Sequence, residues 1–168
     1  MSSYMPWSTE HAESLIAAEQ ERARAFYGDD ANGATAMLPI LHALQDAFGC
    51  VPPDAIPLIA NGLNVSKAEV RGVISFYHDF RETPPGRHVI KLCRAEACQA
   101  SGSERTAAHL ADAHKLHPGS TVNSVTLQNV YCLGNCALGP AALVDGELMA
   151  GVDVAAADAL IARLQESS

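Results

Sequence analysis

The stretch that decides the fold reads His88-Val89-Ile90-Lys91-Leu92-Cys93-Arg94-Ala95-Glu96-Ala97-Cys98, and its counterpart is Cys132-Leu133-Gly134-Asn135-Cys136. Each close cysteine pair interrupts an apolar, strand-like run. His88 to Leu92 reads as a short strand ending at Cys93, and Val122 to Tyr131 alternates as one strand ending at Cys132. Two strands that end this way can bring both pairs onto adjacent loops at one edge of a sheet. Four thiolates gathered there make a metal or iron–sulfur site.

The spacing ranks the possibilities. The two pairs enclose four and three residues, so the gaps are unequal. Structural zinc loops favour about two to four intervening residues, often as matched knuckles. The four-residue gap also occurs in plant-type [2Fe–2S] proteins, and neither gap matches the two-residue gap of thioredoxin-like dithiol catalysis. The order is therefore an iron–sulfur cluster first, a zinc-stapled interaction module second and a dithiol oxidoreductase third. The flanking Ser101, Gly102, Gly134, Asn135 and Gly139 let the loops bend and offer backbone N–H groups to sulfur. Arg94 either offsets cluster charge or is simply solvated, and Glu96 reads as surface.

Working outward, Ser103 to Lys115 reads as a helix, Ala141 to Val144 and Glu147 to Met149 as a hairpin around Asp145-Gly146, and Val154 to Gln165 as a closing helix. This gives β-α-β-β-β-α over residues 87–168. Arg81 to Arg87, with Pro84-Pro85-Gly86, is the expected linker. Before it, residues 1–80 read as an all-helical bundle, so the fold class is α+β. Ser8 caps a first helix to about Tyr27 with Leu15, Ile16, Ala18 and Phe26 as its apolar stripe, and Gly28 to Gly33 forms a turn. Met37 to Phe48 carries Leu38, Leu41, Leu44 and Phe48 on one face, with Gly49 as its left-handed stop. A short third helix follows Pro52-Pro53-Asp54, and Ser66-Lys67-Ala68-Glu69 is a capping box for a fourth. Met1 to Trp7 reads as disordered or ordered only by a partner, with Trp7 a stray exposed aromatic in preference to a docking anchor.

The bulk properties exclude several classes. The chain has 168 residues, 48% of them hydrophobic, and a net charge of −8 with a pI near 5.2. That acidity argues against a nucleic-acid partner and an anionic membrane surface. No apolar run is long enough to span a bilayer, and no secretory signal precedes the first helix. Five cysteines without such a signal point to a cytoplasmic protein using thiols for metal or redox chemistry. Of the other reactive residues, Cys50 reads as a buried inert thiol and His78-Asp79 as a solvated pair. Phe76, Tyr77 and Phe80 read as packing aromatics, and His88 as a packed strand residue. His114 and His117 have a spacing that could hold metal but lack a third ligand, so with His109 they read as a solvated face.

Leu38-Pro39-Ile40-Leu41 leading to Phe48-Gly49, then Gly72-Val73-Ile74-Ser75-Phe76-Tyr77, then the two cysteine pairs with Pro140 behind them, form a combination. It resembles the thioredoxin-like [2Fe–2S] ferredoxin subunits of NADH dehydrogenases and related NAD-linked enzymes, over roughly residues 35 to 165. Within that group Gly49-Cys50-Val51-Pro52-Pro53, Phe76-Tyr77-His78-Asp79-Phe80 and Leu92 to Ala100 look most like the gamma subunit of NAD-dependent, molybdenum-containing formate dehydrogenase. Many relatives carry an aromatic where this chain has Cys50, and Ala-Pro where it has Gly139-Pro140. The resemblance implies that Cys93, Cys98, Cys132 and Cys136 hold a [2Fe–2S] cluster. It also implies a non-catalytic subunit that docks, through its helical part and its thioredoxin-like domain, on an FMN- and NAD-binding flavoprotein, with a molybdenum-containing catalytic subunit in the same complex. The equivalent subunits of NADH:quinone oxidoreductase and NAD-reducing hydrogenase are the alternatives. No Gly-rich nucleotide loop follows a strand, so no NAD or FMN residue is assigned to this chain.

Overall fold

A computed structural model describes residues 4–28 and 34–166. Apart from Gly28, the expected turn from Gly28 to Gly33 lies outside these residues. The chain forms two compact units, Ser3–Pro84 and Pro85–Ser168.

The first unit is helical among its described residues: α1 (Thr9–Tyr27), α2 (Met37–Phe48), α3 (Ala55–Leu63) and α4 (Lys67–Phe76). The local signals act as the sequence suggests. The Ser8 hydroxyl accepts from the His11 N–H at 3.4 Å, and Ser66 and Glu69 close a reciprocal capping box at 2.8 and 3.1 Å. Gly49 ends α2 at φ 77°, where a side chain would be strained. The core joins Ile16 of α1, Ile40, Leu41 and Leu44 of α2, Ile56 and Ile59 of α3, and Val70 and Ile74 of α4.

Several apolar assignments change. Leu38 turns outward, and Met37 and Ile40 take the buried face of α2 with Leu41 and Leu44. Phe26 (82% exposed) lies beyond the end of the α1 stripe, whose buried members are Ala12 and Ile16. Phe76 (72%) and Tyr77 are also exposed, and only Phe80 of that aromatic group is buried. Trp7 is not a stray aromatic. Its ring meets Phe48 edge-on at 5.1 Å, and the Met5 N–H donates to the Ala47 carbonyl at 2.9 Å, so residues 4–7 are laid along α2.

The second unit is a five-stranded mixed sheet covered by helices: β1 (His88–Cys93), α5 (Glu96–Ala100), α6 (Ser103–His114), β2 (Thr121–Val122), β3 (Val125–Val130), β4 (Ala142–Val144), β5 (Glu147–Met149) and α7 (Val154–Glu166). The strand order is β2-β3-β1-β4-β5. Strands β1 and β3 run parallel, with Cys93 opposite Val130, and β4 runs antiparallel to β1, with Leu92 opposite Ala142. The core holds Ile90, Leu92, Leu127 and Ala142 of the sheet under Leu110 of α6 and Ala157, Leu160 and Ile161 of α7.

The expected single strand from Val122 to Tyr131 is a hairpin. Asn123 and Ser124 adopt φ 47° and 66°, pairing Val122 with Val125 across the turn. Asn-Ser supplies a left-handed two-residue turn without the glycine that usually marks one. Two short helical pieces also lack a clear sequence signal: α5, which carries Cys98, and a 3₁₀ turn from Cys136 to Leu138.

The Ile40→Ala substitution removes a fully buried side chain, so it should lower unfolding stability by about 2–5 kcal/mol. Ser66→Ala should cost about 1 kcal/mol through its cap alone. Urea unfolding of both variants should preserve that ranking.

Candidate metal centre

Register explains why the two cysteine pairs meet. Parallel pairing places the carboxyl ends of β1 and β3 at the same edge, so Cys93 ends one strand where the chain leaves the other toward Cys132. The chain then passes Cys136, the 3₁₀ turn and a cis Gly139–Pro140 bond, and returns into β4 beside β1. There the Cys93 N–H donates to the Ala141 carbonyl at 2.9 Å and the Arg94 N–H to the Val130 carbonyl at 2.8 Å. Cys98 hangs from α5, the short helix that follows β1.

The four thiols form one electrostatic group. Cys132 and Cys136 are 3.8 Å apart, sulfur to sulfur. Burial pushes the Cys93 thiol up, but N–H groups of Ala95, Cys132 and Leu133, with the Cys98 thiol, outweigh it and hold Cys93 below its ordinary range. Burial raises Cys98, the Ala141 N–H partly offsets this, and Cys93 and Cys136 raise it further. Cys136 is raised first by its contact with Cys132 and also by the Cys93 charge. Thiols that oppose one another's ionisation become thiolates together only around a cation. The donor set of four sulfurs and inward-pointing backbone N–H groups suits an iron–sulfur cluster.

The site is lopsided. Cys93 and Cys98 are buried against Ala141, Ala95, Val130 and Leu133, whereas Cys132 and Cys136 are exposed. Exposed Tyr131 and Leu138 flank them. Gly139 passes close to the site: a Cβ there would lie 3.3 Å from both the Cys98 sulfur and the Ser101 hydroxyl, so an alanine would need those side chains to give by a few tenths of an ångström.

Of the loop residues singled out for sulfur contacts, Gly134 fulfils that part, with its N–H 3.4 Å from the Cys132 sulfur. The N–H groups of Ser101, Gly102 and Gly139 instead bond the carbonyls of Ala97, Gln99 and Cys136. Besides the Cys132 N–H, the donors on Ala95, Leu133 and Ala141 are backbone groups on apolar residues, for which side-chain chemistry gives no signal. Arg94 is neither solvated nor a free counter-charge. Its Nε donates to Glu104 Oε1 at 2.6 Å, a second guanidinium nitrogen pairs with Glu104 Oε2, and a third contact reaches Asn129 at 3.3 Å. The guanidinium thereby braces α6 against β1 and β3, and it holds the Glu104 carboxyl below its usual range. Cys50 is buried in the helical unit, where desolvation raises its thiol pKa against a smaller opposing effect of Arg81. His78 and Asp79 are exposed.

The sequence profile of the thioredoxin-like [2Fe–2S] ferredoxins matches residues 23–165. The chain belongs to that family. As a thioredoxin-like [2Fe–2S] ferredoxin it is an electron-transfer protein with a [2Fe–2S] cluster as its cofactor. It is 32% identical over 151 residues to an NADH-quinone oxidoreductase subunit of Escherichia coli, covering 89% of this chain and 91% of that one. It is 30% identical over 117 residues to HndA, an NADP-reducing hydrogenase subunit of Solidesulfovibrio fructosivorans, covering 68% of each. Among solved structures it resembles an NAD⁺-reducing [NiFe]-hydrogenase, with 29% identity and a TM-score of 0.61 over 76% of this chain. It spans 23% of that hydrogenase chain. Among the described residues no helix is long and apolar enough to cross a membrane.

Within this ferredoxin, Cys132 occupies φ 80°, a left-handed geometry costly for any residue with a Cβ. In cluster-free protein, Cys132→Gly should therefore be more stable than Cys132→Ala by about 1 kcal/mol, read from urea midpoints. Equal midpoints would show that the loop does not impose the geometry.

Proposed function

We propose that Cys93, Cys98, Cys132 and Cys136 hold the [2Fe–2S] cluster, and that the chain is the electron-transfer subunit of a cytoplasmic NAD-linked oxidoreductase. The observation that carries this reading is the convergence of two cysteine pairs at one sheet edge, in mutual contact and ringed by N–H groups. Bound there, the cluster supplies a one-electron carrier. Cys93 and Cys98 fix it from the buried side, and the strands behind them exclude water. Cys132 and Cys136 present it at the surface, where a redox partner can come close. Exposed Tyr131 and Leu138 beside them give that partner an apolar footing.

The partner in this reading is an FMN- and NAD-binding flavoprotein, because the relatives are subunits of an NADH-quinone oxidoreductase and of a hydrogenase that reduces a nicotinamide cofactor. The helical unit contributes a second docking surface. Its exposed groove is lined by Met37, Leu38, Val65, Val73, Phe76 and Tyr77. The finer assignment is to NAD-dependent formate dehydrogenase with a molybdenum-containing catalytic subunit. It rests on the sequence around Cys50, His78 and Cys93 to Ala100. The corresponding subunits of NADH:quinone oxidoreductase and NAD-reducing hydrogenase are the alternatives. No catalytic step is assigned to this chain itself.

Anaerobically purified protein should contain iron and acid-labile sulfide in equal amounts, about two of each per chain, and give a rhombic EPR signal after dithionite. Cys98→Ser and Cys132→Ser should each sharply lower the sulfide content. Zinc without sulfide would overturn the cluster assignment and leave a zinc-stapled interaction module.

Affinity purification of the native complex should recover a flavoprotein, and a molybdenum subunit with formate-dependent NAD⁺ reduction if the finer assignment holds. Recovery of a hydrogenase or a quinone-reducing complex would replace it. Leu138→Glu should weaken flavoprotein binding about tenfold or more while leaving the iron and sulfide content unchanged.

A further inference from the structure

The second half of α6 and the middle of α7 bring together three side chains unconnected with the cysteines. His109 Nε2 and His114 Nε2 each lie 2.7 Å from Asp158 Oδ1. The three ligating atoms all fall within 4.8 Å of one another, and the two imidazole rings meet edge-on with centroids 5.8 Å apart. His117, whose spacing from His114 suggests metal in the sequence, is exposed and outside the group. The third ligand comes instead from the following helix, which no local spacing could reveal.

From this geometry we propose that His109, His114 and Asp158 form a second metal site, specific for a borderline divalent cation of the zinc class and independent of the iron–sulfur cluster. An N₂O donor set of two imidazoles and one carboxylate suits Zn²⁺ and its neighbours, whereas hard cations prefer all-oxygen cages and iron–sulfur clusters need thiolate. Three protein ligands leave a fourth tetrahedral position for water or an external ligand. With Zn–N and Zn–O bonds near 2.0–2.1 Å, the ligand atoms of a tetrahedral site stand about 3.3 Å apart. Each 2.7 Å contact therefore opens by about 0.6 Å on binding, and the two imidazole nitrogens, within 4.8 Å of each other, take up the same separation.

The scaffold holds the two helices in place. Leu110 of α6 and Ala157, Leu160 and Ile161 of α7 are buried in one core, with the ligands at its margin. Lys115 ends α6 in a left-handed conformation, and the Leu116 N–H closes on the Leu110 carbonyl at 3.0 Å, fixing the turn that carries His114. The side chains are partly open to solvent, at 31% for His109, 26% for His114 and 47% for Asp158, so a cation can enter without unfolding. At 1.5 Å rise per residue, His114 lies about 15 Å along α6 from Glu104, the residue that pairs with Arg94 near the cysteine loops. Metal at this site would pin α6 to α7 without touching the thiols.

The test uses cluster-loaded full-length protein and Zn²⁺ as the probe. Calorimetric titration should show saturable uptake of one Zn²⁺ per chain while the visible spectrum of the cluster stays constant. His109→Gln, His114→Gln and Asp158→Asn should each weaken uptake by at least about tenfold. X-ray absorption at the zinc edge should show nitrogen and oxygen neighbours with imidazole scattering. No saturable uptake, uptake unchanged in the three variants, or a zinc–sulfur shell near 2.3 Å would each overturn the proposal.

Discussion

The parallel pairing of β1 with β3 is the constraint on which the cysteine site depends. Parallel strands deliver their carboxyl ends to one edge, and here each is followed closely by a cysteine pair. A shift of one residue would turn Cys93 toward the opposite face of the sheet, because side chains alternate along a strand. The alternation of Ile90 and Leu92 toward the core opposes such a shift, since both are almost completely buried. The same hydrophobic pairing that stabilises the sheet therefore sets the position of the thiols.

Electrostatics then separates the four sulfurs into two kinds. Cys93 collects N–H groups from both loops and is lowered, while Cys98 and Cys136 are raised by burial or by their neighbours. A cationic centre would offset the repulsion that arises once these thiols ionise. The buried pair anchors and the exposed pair faces outward, which suits a carrier that must hold its cofactor firmly and still meet a partner. The bracing of Arg94 by Glu104 fits the same logic. It fixes the position of α6 without placing a loose charge beside the sulfurs.

Helix α6 connects the two sites while keeping them apart. Its first turn is tied to the cysteine loops through Glu104, and its last turns carry the two histidines that face Asp158. Asp158 is held below the usual carboxylate range, first by His114 and then by His109, as expected for a carboxylate flanked by two nitrogen donors.

By itself the sequence determined much of the layout. The capping box at Ser66, the stop at Gly49, the Asp145-Gly146 hairpin and the buried face of α7 follow from local rules in which each residue's neighbours are close in the chain. The cysteine pairs were legible for the same reason, as spaced ligand residues after apolar runs. Tertiary structure decided what local rules cannot reach. The Asn123-Ser124 turn needed two left-handed residues without a glycine, and the outward turn of Leu38, Phe26 and Phe76 depended on which helix faces had a neighbour. The sulfur-directed N–H groups belong to Ala95, Leu133 and Ala141, whose side chains carry no chemical mark. The meeting of His109 and His114 with Asp158 depends on helix packing that joins residues 49 and 44 positions apart in the chain. Contacts of that range are set by the packed core, and the spacing of residues along the chain does not encode them.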